Sequence, residues 1–400
     1  MKRFSIAVIA LMMVSTPLFA QKNPDLRALP KISPQRAEMI LPQIKGYNIY
    51  KADLHVHTVY SDGDVSAKGR VTEAYYDGLD IIAITDHVEY RPYEENMLKA
   101  TQGYHKGELP VAKNHKITHK AADQDGILAD LNVPYLEAKK PGERLGLLVI
   151  PGVEITRNPD KVGHFNCLFI KDANKIYDAD PEQSIRNAKA QGALIMHNHP
   201  GWKRKTVDMN DLHKRLYDAK LIDGVEIVNG GSFGPKLIHR CLAHKLFIAA
   251  ATDAHPITAH IYHQRNVFRT CTFVLAKELT EKAIKDALVK DRTLAYAYDN
   301  VMGPEELVSE LFHNSVSMKV IYTSSKGEKT VVLTNTSSIP YYISRNGKGE
   351  GAPLYPFKSV SFKVAKDKDL TFKVMNLWTA DDAHPNSKRL SVVYKAKDLK

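Results

Sequence analysis

Short apolar runs and amphipathic stretches alternate along most of the chain. Ile81 to Thr85, Leu147 to Ile150, Phe165 to Ile170 and Ala193 to Met196 read as buried strands. So do Val225 to Val228, Phe247 to Ala251 and Cys271 to Leu275. Helical patterns lie between them. Asp180-Pro181-Glu182-Gln183 predicts a helix start, with an acid at the N-cap, Pro at the first position and Gln183 closing a capping box. Asp208 predicts the cap of a helix carrying Leu212, Leu216 and Ala219, and Leu237 to Leu246 and Leu279 to Leu288 predict two more. Strands alternating with helices predict an α/β fold whose parallel sheet is long enough to close into a barrel. No internal repeat stands out.

The rhythm fails in two places. Between Val88 and Gly146 the chain is polar, rich in Lys, His and Gly, and includes His105, His115 and His119. A long insertion after a barrel strand often covers the mouth of the site, so 88–146 is expected to be a partly helical lid. After Glu310 come short strands separated by turn residues: Met318 to Tyr322, Thr330 to Thr334, Tyr341 to Ile343, Ser359 to Val364, Thr371 to Val374 and Leu390 to Tyr394. They predict a small antiparallel β-sandwich over 313–400, behind a barrel over 48–312.

The start is different again. Lys2 and Arg3 precede an apolar run that Pro17 interrupts, and small Ala20 precedes Gln21. Residues 1–20 read as a secretory signal cleaved near Ala20, followed by a Pro-containing lead over 21–47. Export, to a bacterial periplasm, is the expectation, and no other segment is apolar and long enough to cross a membrane. The formal charge is +11. Such a surface favours anionic substrates, although no nucleic-acid recognition motif is present. Three cysteines, Cys167, Cys241 and Cys271, are too few for a disulfide framework. Nothing in the sequence fixes an oligomeric state.

The chemistry sits where apolar runs begin or stop. His55 and His57 are two apart, so on a strand both imidazoles face one way. Asp62 follows in a Ser-Asp-Gly turn. His87 ends the Ile81 strand, and Glu154 ends another, where a carboxylate can bridge two cations. His164 opens the next strand, His199 closes the Ala193 strand, and Asp253 and His255 close the Phe247 strand. Strand ends on one rim of a barrel are where such folds hold reactive groups. So many imidazoles converging without a cation would be hard to stabilise, so a multinuclear metal centre is expected. All donors are nitrogen or oxygen, a set that suits Mn²⁺, Fe²⁺ or Zn²⁺.

The blocks Asp53-Leu54-His55-Val56-His57-Thr58, Ser61-Asp62-Gly63, Ile84-Thr85-Asp86-His87, Gly152-Val153-Glu154-Ile155, Gly192 to Gly201 and Thr252-Asp253-Ala254-His255 resemble, in wording and order, the polymerase and histidinol phosphatase (PHP) superfamily of metal-dependent phosphoesterases. The resemblance spans Tyr50 to Glu310. It implies a distorted (β/α)7 barrel with three divalent metal ions. It assigns one metal to His55, His57, Glu154 and Asp253, a second to Glu154, His164 and His199, and a third to Asp62, His87 and His255. His197 and His199 both precede Pro200; counting from Gly192 and from Pro200 selects His199, and leaves His197 on the same strand face, either lining the pocket or packed as a strand residue.

The resemblance implies hydrolysis of a small phosphorylated substrate by a hydroxide bridging the metals. Asp253, Glu154 and His197 are the candidates for catalytic work, with Asp86 a lesser one. Arg91, Arg157 and Lys161 lie a few residues past rim blocks and could clamp phosphate, as could Lys203, Arg204 and Arg265. Trp202 is placed to wall the leaving group. Two rivals stand beside this reading: an amide or ester hydrolase on the same barrel, favoured by a site without Arg or Lys, and a non-enzymatic binding protein that uses the sandwich. Histidinol phosphatase activity is not expected of an exported enzyme.

Overall fold

The computed structural model describes residues 35–92, 130–380 and 387–399. The expected signal over 1–20, most of the expected lead, and residues 93–129 of the expected lid, with His105, His115 and His119, lie outside the described residues.

Seven strands form the barrel expected from the apolar runs. β1 (Asn48–Asp53), β2 (Ile81–Ile84) and β3 (Leu148–Thr156) are parallel neighbours. β4 (His164–Leu168) then runs antiparallel to both β3 and β5 (Leu194–Asn198). The parallel sense resumes through β6 (Gly224–Asn229), which pairs with a two-residue strand β7 (Ser232–Phe233) and with β8 (Phe247–Ala251). Between β8 and β1 there is no ladder, only the Val56–Ala254 bridge at the rim. Below it, β9 (Cys271–Ala276) pairs antiparallel with β1 and with β10 (Thr293–Ala297). The barrel is therefore distorted twice, by a reversed strand and by a split seam.

The barrel interior is filled by Ala52, Leu54, Ile81, Ala83, Ile150, Met196, Phe247 and Ala249, all buried. Small residues alternate with large ones, which lets a narrow barrel pack without voids. Outside it lie α1 (Ala67–Tyr76), α2 (Val133–Leu145), α3 (Pro181–Ala190), α4 (Asp211–Asp218), α5 (Lys236–His244), α6 (Glu281–Val289) and α7 (Glu305–Ser315). Three local expectations change. Asp180 caps α3 as its side chain accepts from the Glu182 amide, but Gln183 donates along the helix to Asn187, so no capping box forms. Asn210, not Asp208, caps α4, in a capping box with His213. Finally, the end of the expected lid is the regular barrel helix α2. Its buried face is Pro134, Ala138 and Gly142, spaced at four residues but too small to register as an apolar stripe.

The C-terminal strands form two antiparallel layers. One is β12 (Val316–Thr323), β13 (Lys329–Asn335) and β16 (Ser359–Val364). The other contains β14 (Tyr341–Ser344), β15 (Ala352–Leu354), β17 (Leu370–Ala380) and β18 (Ser387–Tyr394). This second layer joins the barrel sheet, because β17 pairs in parallel with β11 (Asn300–Met302), and β11 pairs with β10. Arg36 to Lys400 cluster as one compact unit. No described helix is long and apolar enough to cross a membrane.

Candidate metal centre

Every chemical block reaches the same rim, and backbone hydrogen bonds set the spacing. The Asp253 amide donates to the His55 carbonyl at 2.9 Å, and the His57 amide to the Ala254 carbonyl at 3.1 Å. The Glu154 amide donates to Asp86 O at 3.0 Å, and the Val88 amide to Glu154 O at 2.9 Å. Neighbouring strand ends thus carry their side chains at fixed register. β4 contributes His164 from its first residue because it runs backwards. Two donors sit on left-handed backbone, His199 at φ 26° and Asp253 at φ 52°. Side chains rarely adopt this conformation, and it persists only where surroundings enforce it.

Among the described residues four groups of donors form, each with its atoms within 4.8 Å: His55, His57 and Asp253; Glu154, His164 and His199; His57, Asp62, His87 and His255; and His55, His199 and Glu226. All nine residues singled out in the sequence lie in these groups, and Glu226 joins them. The Nε2 atoms of His55 and His57 are 3.0 Å apart, and Asp253 Oδ1 lies 3.2 Å from the first and 3.0 Å from the second. Metal–donor bonds of about 2.0–2.1 Å in a tetrahedral shell set donors about 3.3 Å apart, so this triad fits one cation.

Glu154 also faces histidines of the other groups. Its Oε1 lies 3.3 Å from His55 Nε2, 3.3 Å from His164 Nδ1 and 3.6 Å from His199 Nε2. Its Oε2 faces His87 Nδ1 at 2.6 Å. The Asn198 side chain donates to Oε1 at 2.7 Å and fixes the carboxylate plane. Asp62 closes the third group, 3.4 Å from His87 Nε2 and 3.2 Å from His255 Nε2. The Asp62 turn is held by Asp86, which accepts from Thr58 N, Thr58 Oγ1 and Ser61 Oγ at 2.8, 2.8 and 2.6 Å. Gly63 completes that turn, since a Cβ there would meet the His57 carbonyl oxygen at 2.6 Å.

The buried charges are strongly coupled. Burial alone would raise the Glu154 carboxyl, but His164, His87 and His55 hold it well below its ordinary range. Burial opposes ionisation of Asp253 and Asp62 too, yet the imidazoles around them keep both far below the usual carboxylate value. Burial would lower His87, and Glu154 and Asp62 instead raise it to about 10. His57 goes the other way, pushed to about 3 by burial and by His87. Ionised carboxylates among crowded imidazoles, in a dry pocket, make a donor set that a cation would satisfy.

Glu226 escaped the sequence reading. Its Oε1 lies 3.2 Å from His55 Nδ1, and its Oε2 accepts from the His199 amide at 2.8 Å and from Asn229 at 3.1 Å. A carboxylate behind a histidine fixes which ring nitrogen faces a metal. The signal was present: Gly224-Val225-Glu226-Ile227 repeats the wording of Gly152-Val153-Glu154-Ile155, a short repeat that went unnoticed.

His197 does not line the pocket. His199 lies past the end of β5 and turns inward on its left-handed backbone, whereas His197 keeps strand alternation and faces the helices. Its Nδ1 pairs with Tyr217 OH at 2.9 Å, its ring packs on Phe165 and His213, and burial pushes it well below its normal value. Among the anion clamps, Arg157 is committed elsewhere: its Nε lies 3.0 Å from buried Glu89 and its ring-facing guanidinium covers Tyr177. Arg204 braces its own loop through the carbonyls of Pro200 and Asp208. Lys161 and Arg265 are exposed and outside the site cavity, Arg265 reaching Tyr298 OH at 3.5 Å. Arg91 is buried beside Asp86 and His87 at a small neighbouring cavity. The site cavity, about 650 Å³, is walled by the donor groups together with Tyr90, Trp202 and Lys203. Lys203 is the one Lys or Arg among its described lining residues, and its Nζ lies 4.1 Å over the Trp202 ring.

Residues 53–223 match the family model of the PHP domain. Over 90% of this chain and 99% of the other, the structure is similar to a two-domain protein from Bacteroides vulgatus containing a predicted PHP-like metal-dependent phosphoesterase, at 29% identity and a TM-score of 0.75. A lesion-specific endonuclease from Pyrococcus furiosus matches over 64% of this chain and 59% of its own, at 16% identity and a TM-score of 0.38. An amidohydrolase from Chromobacterium violaceum matches over 51% and 87%, at 14% identity and a TM-score of 0.33. No curated protein matches the sequence.

Proposed function

From the premise that residues 53–223 are a PHP domain, we propose that this protein hydrolyses a small phosphate ester with three divalent cations, Mn, Fe or Zn. The observation that carries the reading is that histidines of three donor groups, His55, His87 and His164, lie within 3.3 Å of the single carboxylate of Glu154, which faces the site cavity. His55, His57 and Asp253 would hold one cation with Glu154. Glu154, His164 and His199 would hold the second, and Asp62, His87 and His255 the third. Bound there, divalent cations supply Lewis acidity toward phosphoryl oxygens and make water acidic enough to attack near neutral pH.

The chain's own groups do the rest. Asp253 Oδ2, steadied by Asn229 at 3.1 Å, is placed to accept a proton at the cavity floor. The Lys203 ammonium at the rim neutralises phosphoryl charge and favours a phosphate ester over an amide. Trp202 shields His164 and His199 from water, its ring 5.1 and 5.4 Å from theirs. The basic, apolar N-terminus supports export, which fractionation and N-terminal sequencing would test.

The direct experiment measures bound metal per chain and turnover on a panel of phosphate mono- and diesters, with amide and carboxyl-ester substrates alongside. About three equivalents of metal and phosphoester turnover are expected. Fully loaded protein that turns over no phosphoester would overturn the proposal, and amide turnover alone would replace it with the hydrolase alternative.

A further inference from the structure

Beside the metal cluster lies a second cavity, about 370 Å³, that the phosphoesterase chemistry does not use. Its inner end is His199 and Glu226, which belong to the cluster. Its walls are Trp202, Val207, Ile227, Phe233 and Leu237. Trp202 and Lys203 also line the site cavity, so the two spaces adjoin at the lysine that faces phosphate.

We propose that this cavity seats the alcohol portion of the substrate, and that this portion is an apolar ring. The inference rests on the phosphoesterase reading above and adds the substrate class. Three features argue for it. A cavity of about 150 Å³ lined by apolar side chains already takes up benzene, so the space suits a ring system. At the inner end the amide donors of Asn229 are committed to Glu226 Oε2 and Asp253 Oδ2, both at 3.1 Å, while the Ser232 and Lys203 side chains, which also line the cavity, are exposed. A sugar hydroxyl would therefore find little recognition there, while an apolar ring needs none. The wall is also braced. Phe233 lies on β7, paired with Val228, and its outer face meets the edge of Trp378 on β17 with ring centroids 5.1 Å apart. The C-terminal strands thus support the pocket from behind, which gives them a part in specificity.

In the reaction, water adds to phosphorus and the P–O bond to the alcohol breaks. The alcohol leaves with a proton, giving inorganic phosphate and a ring-bearing alcohol.

The test compares benzyl phosphate with methyl phosphate on the metal-loaded protein, since the two alcohols have similar acidity. A preference for benzyl phosphate of at least about tenfold in kcat/KM is expected, and Phe233→Ser should bring the benzyl-to-methyl ratio toward one. Binding gives an independent readout because the chain has two tryptophans, Trp202 lining this pocket and Trp378 behind its Phe233 wall. In a Trp378→Phe background, Trp202 fluorescence should change saturably with benzylphosphonate and not with methylphosphonate. Should Phe233→Ser fail to fold, Val207→Asp at the half-buried wall serves instead. Equal turnover of both esters overturns the inference and leaves the phosphoesterase reading standing. If neither ester is turned over with metals bound, that reading falls, and the fluorescence comparison alone decides the pocket: no difference between the phosphonates overturns it.

Discussion

Glu226 touches His55 through one oxygen and the His199 backbone through the other, so one side chain orients donors from two strands. Glu226→Gln keeps the shape and loses the charge. It is expected to weaken metal affinity by about 10–100-fold, as carboxylates behind metal-binding histidines do, measured by competition with a chelator. Unchanged affinity would make Glu226 a packing residue. Glu154→Gln should be harsher, removing the charge of a carboxylate that faces His55, His87 and His164 at once, and abolishing the full metal stoichiometry. At this scale the sequence was most legible where a polar residue interrupts an apolar run. It was least legible where backbone geometry decides. His197 and His199 look equivalent by alternation, and only the left-handed turn at His199 separates them. Arg157 looked like an anion clamp because nothing in its neighbourhood announced that Glu89 would be buried against it.

Two positions, one just past a helix and one inside another, carry opposite lessons. Asp291 follows α6 with φ 53°, and burial pushes its carboxyl up to about 6 despite Lys245. A carboxyl raised by folding stabilises below its unfolded value, about 3.9, and costs stability as pH rises through 6. An acid at a helix C-terminus also opposes the dipole, and Asn suits left-handed backbone. Asp291→Asn should therefore raise Tm by about 1–2 °C at pH 7–8, with the gain closing toward pH 4. A gain independent of pH would remove the charge argument. Gly142, inside α2, looks like a site where Ala should help by about 1 kcal/mol. Its added Cβ would lie 2.3 Å from Val149 Cγ2, so Gly142→Ala should instead destabilise by about 1–3 kcal/mol in urea unfolding. The same close packing hid α2 from sequence reading, because a helix that buries Ala and Gly leaves no hydrophobic stripe to detect. Strands, which bury Ile, Val and Phe, were easier to see.

Over the whole chain, alternation revealed the barrel and its order, but not where it is distorted. A reversed strand and a forward strand have the same apolar pattern, so the direction of β4 could only come from pairing. The C-terminal strands were legible as antiparallel, yet their attachment was not. One continuous core contains Val56 and Ile82 of the barrel, Phe312 of α7, and Val331 and Phe372 of the C-terminal layers. Cutting after residue 312 would expose that core, so a 36–312 fragment is expected to be insoluble or unfolded, and the longer chain to melt in a single calorimetric transition. Two separable transitions would contradict the shared core. The reversal of β4 has an engineering consequence. Thr156 pairs directly with His164, so residues 157–163 form a rim loop with no helix hung on it. In the other crossovers a new loop must still deliver the chain to its helix, whereas here a graft need only keep Arg157 against Glu89 and the Lys161 and Val162 carbonyls against Asn210 and His213. That loop is the place to retune what the protein accepts while leaving the register of β3 and β4 alone.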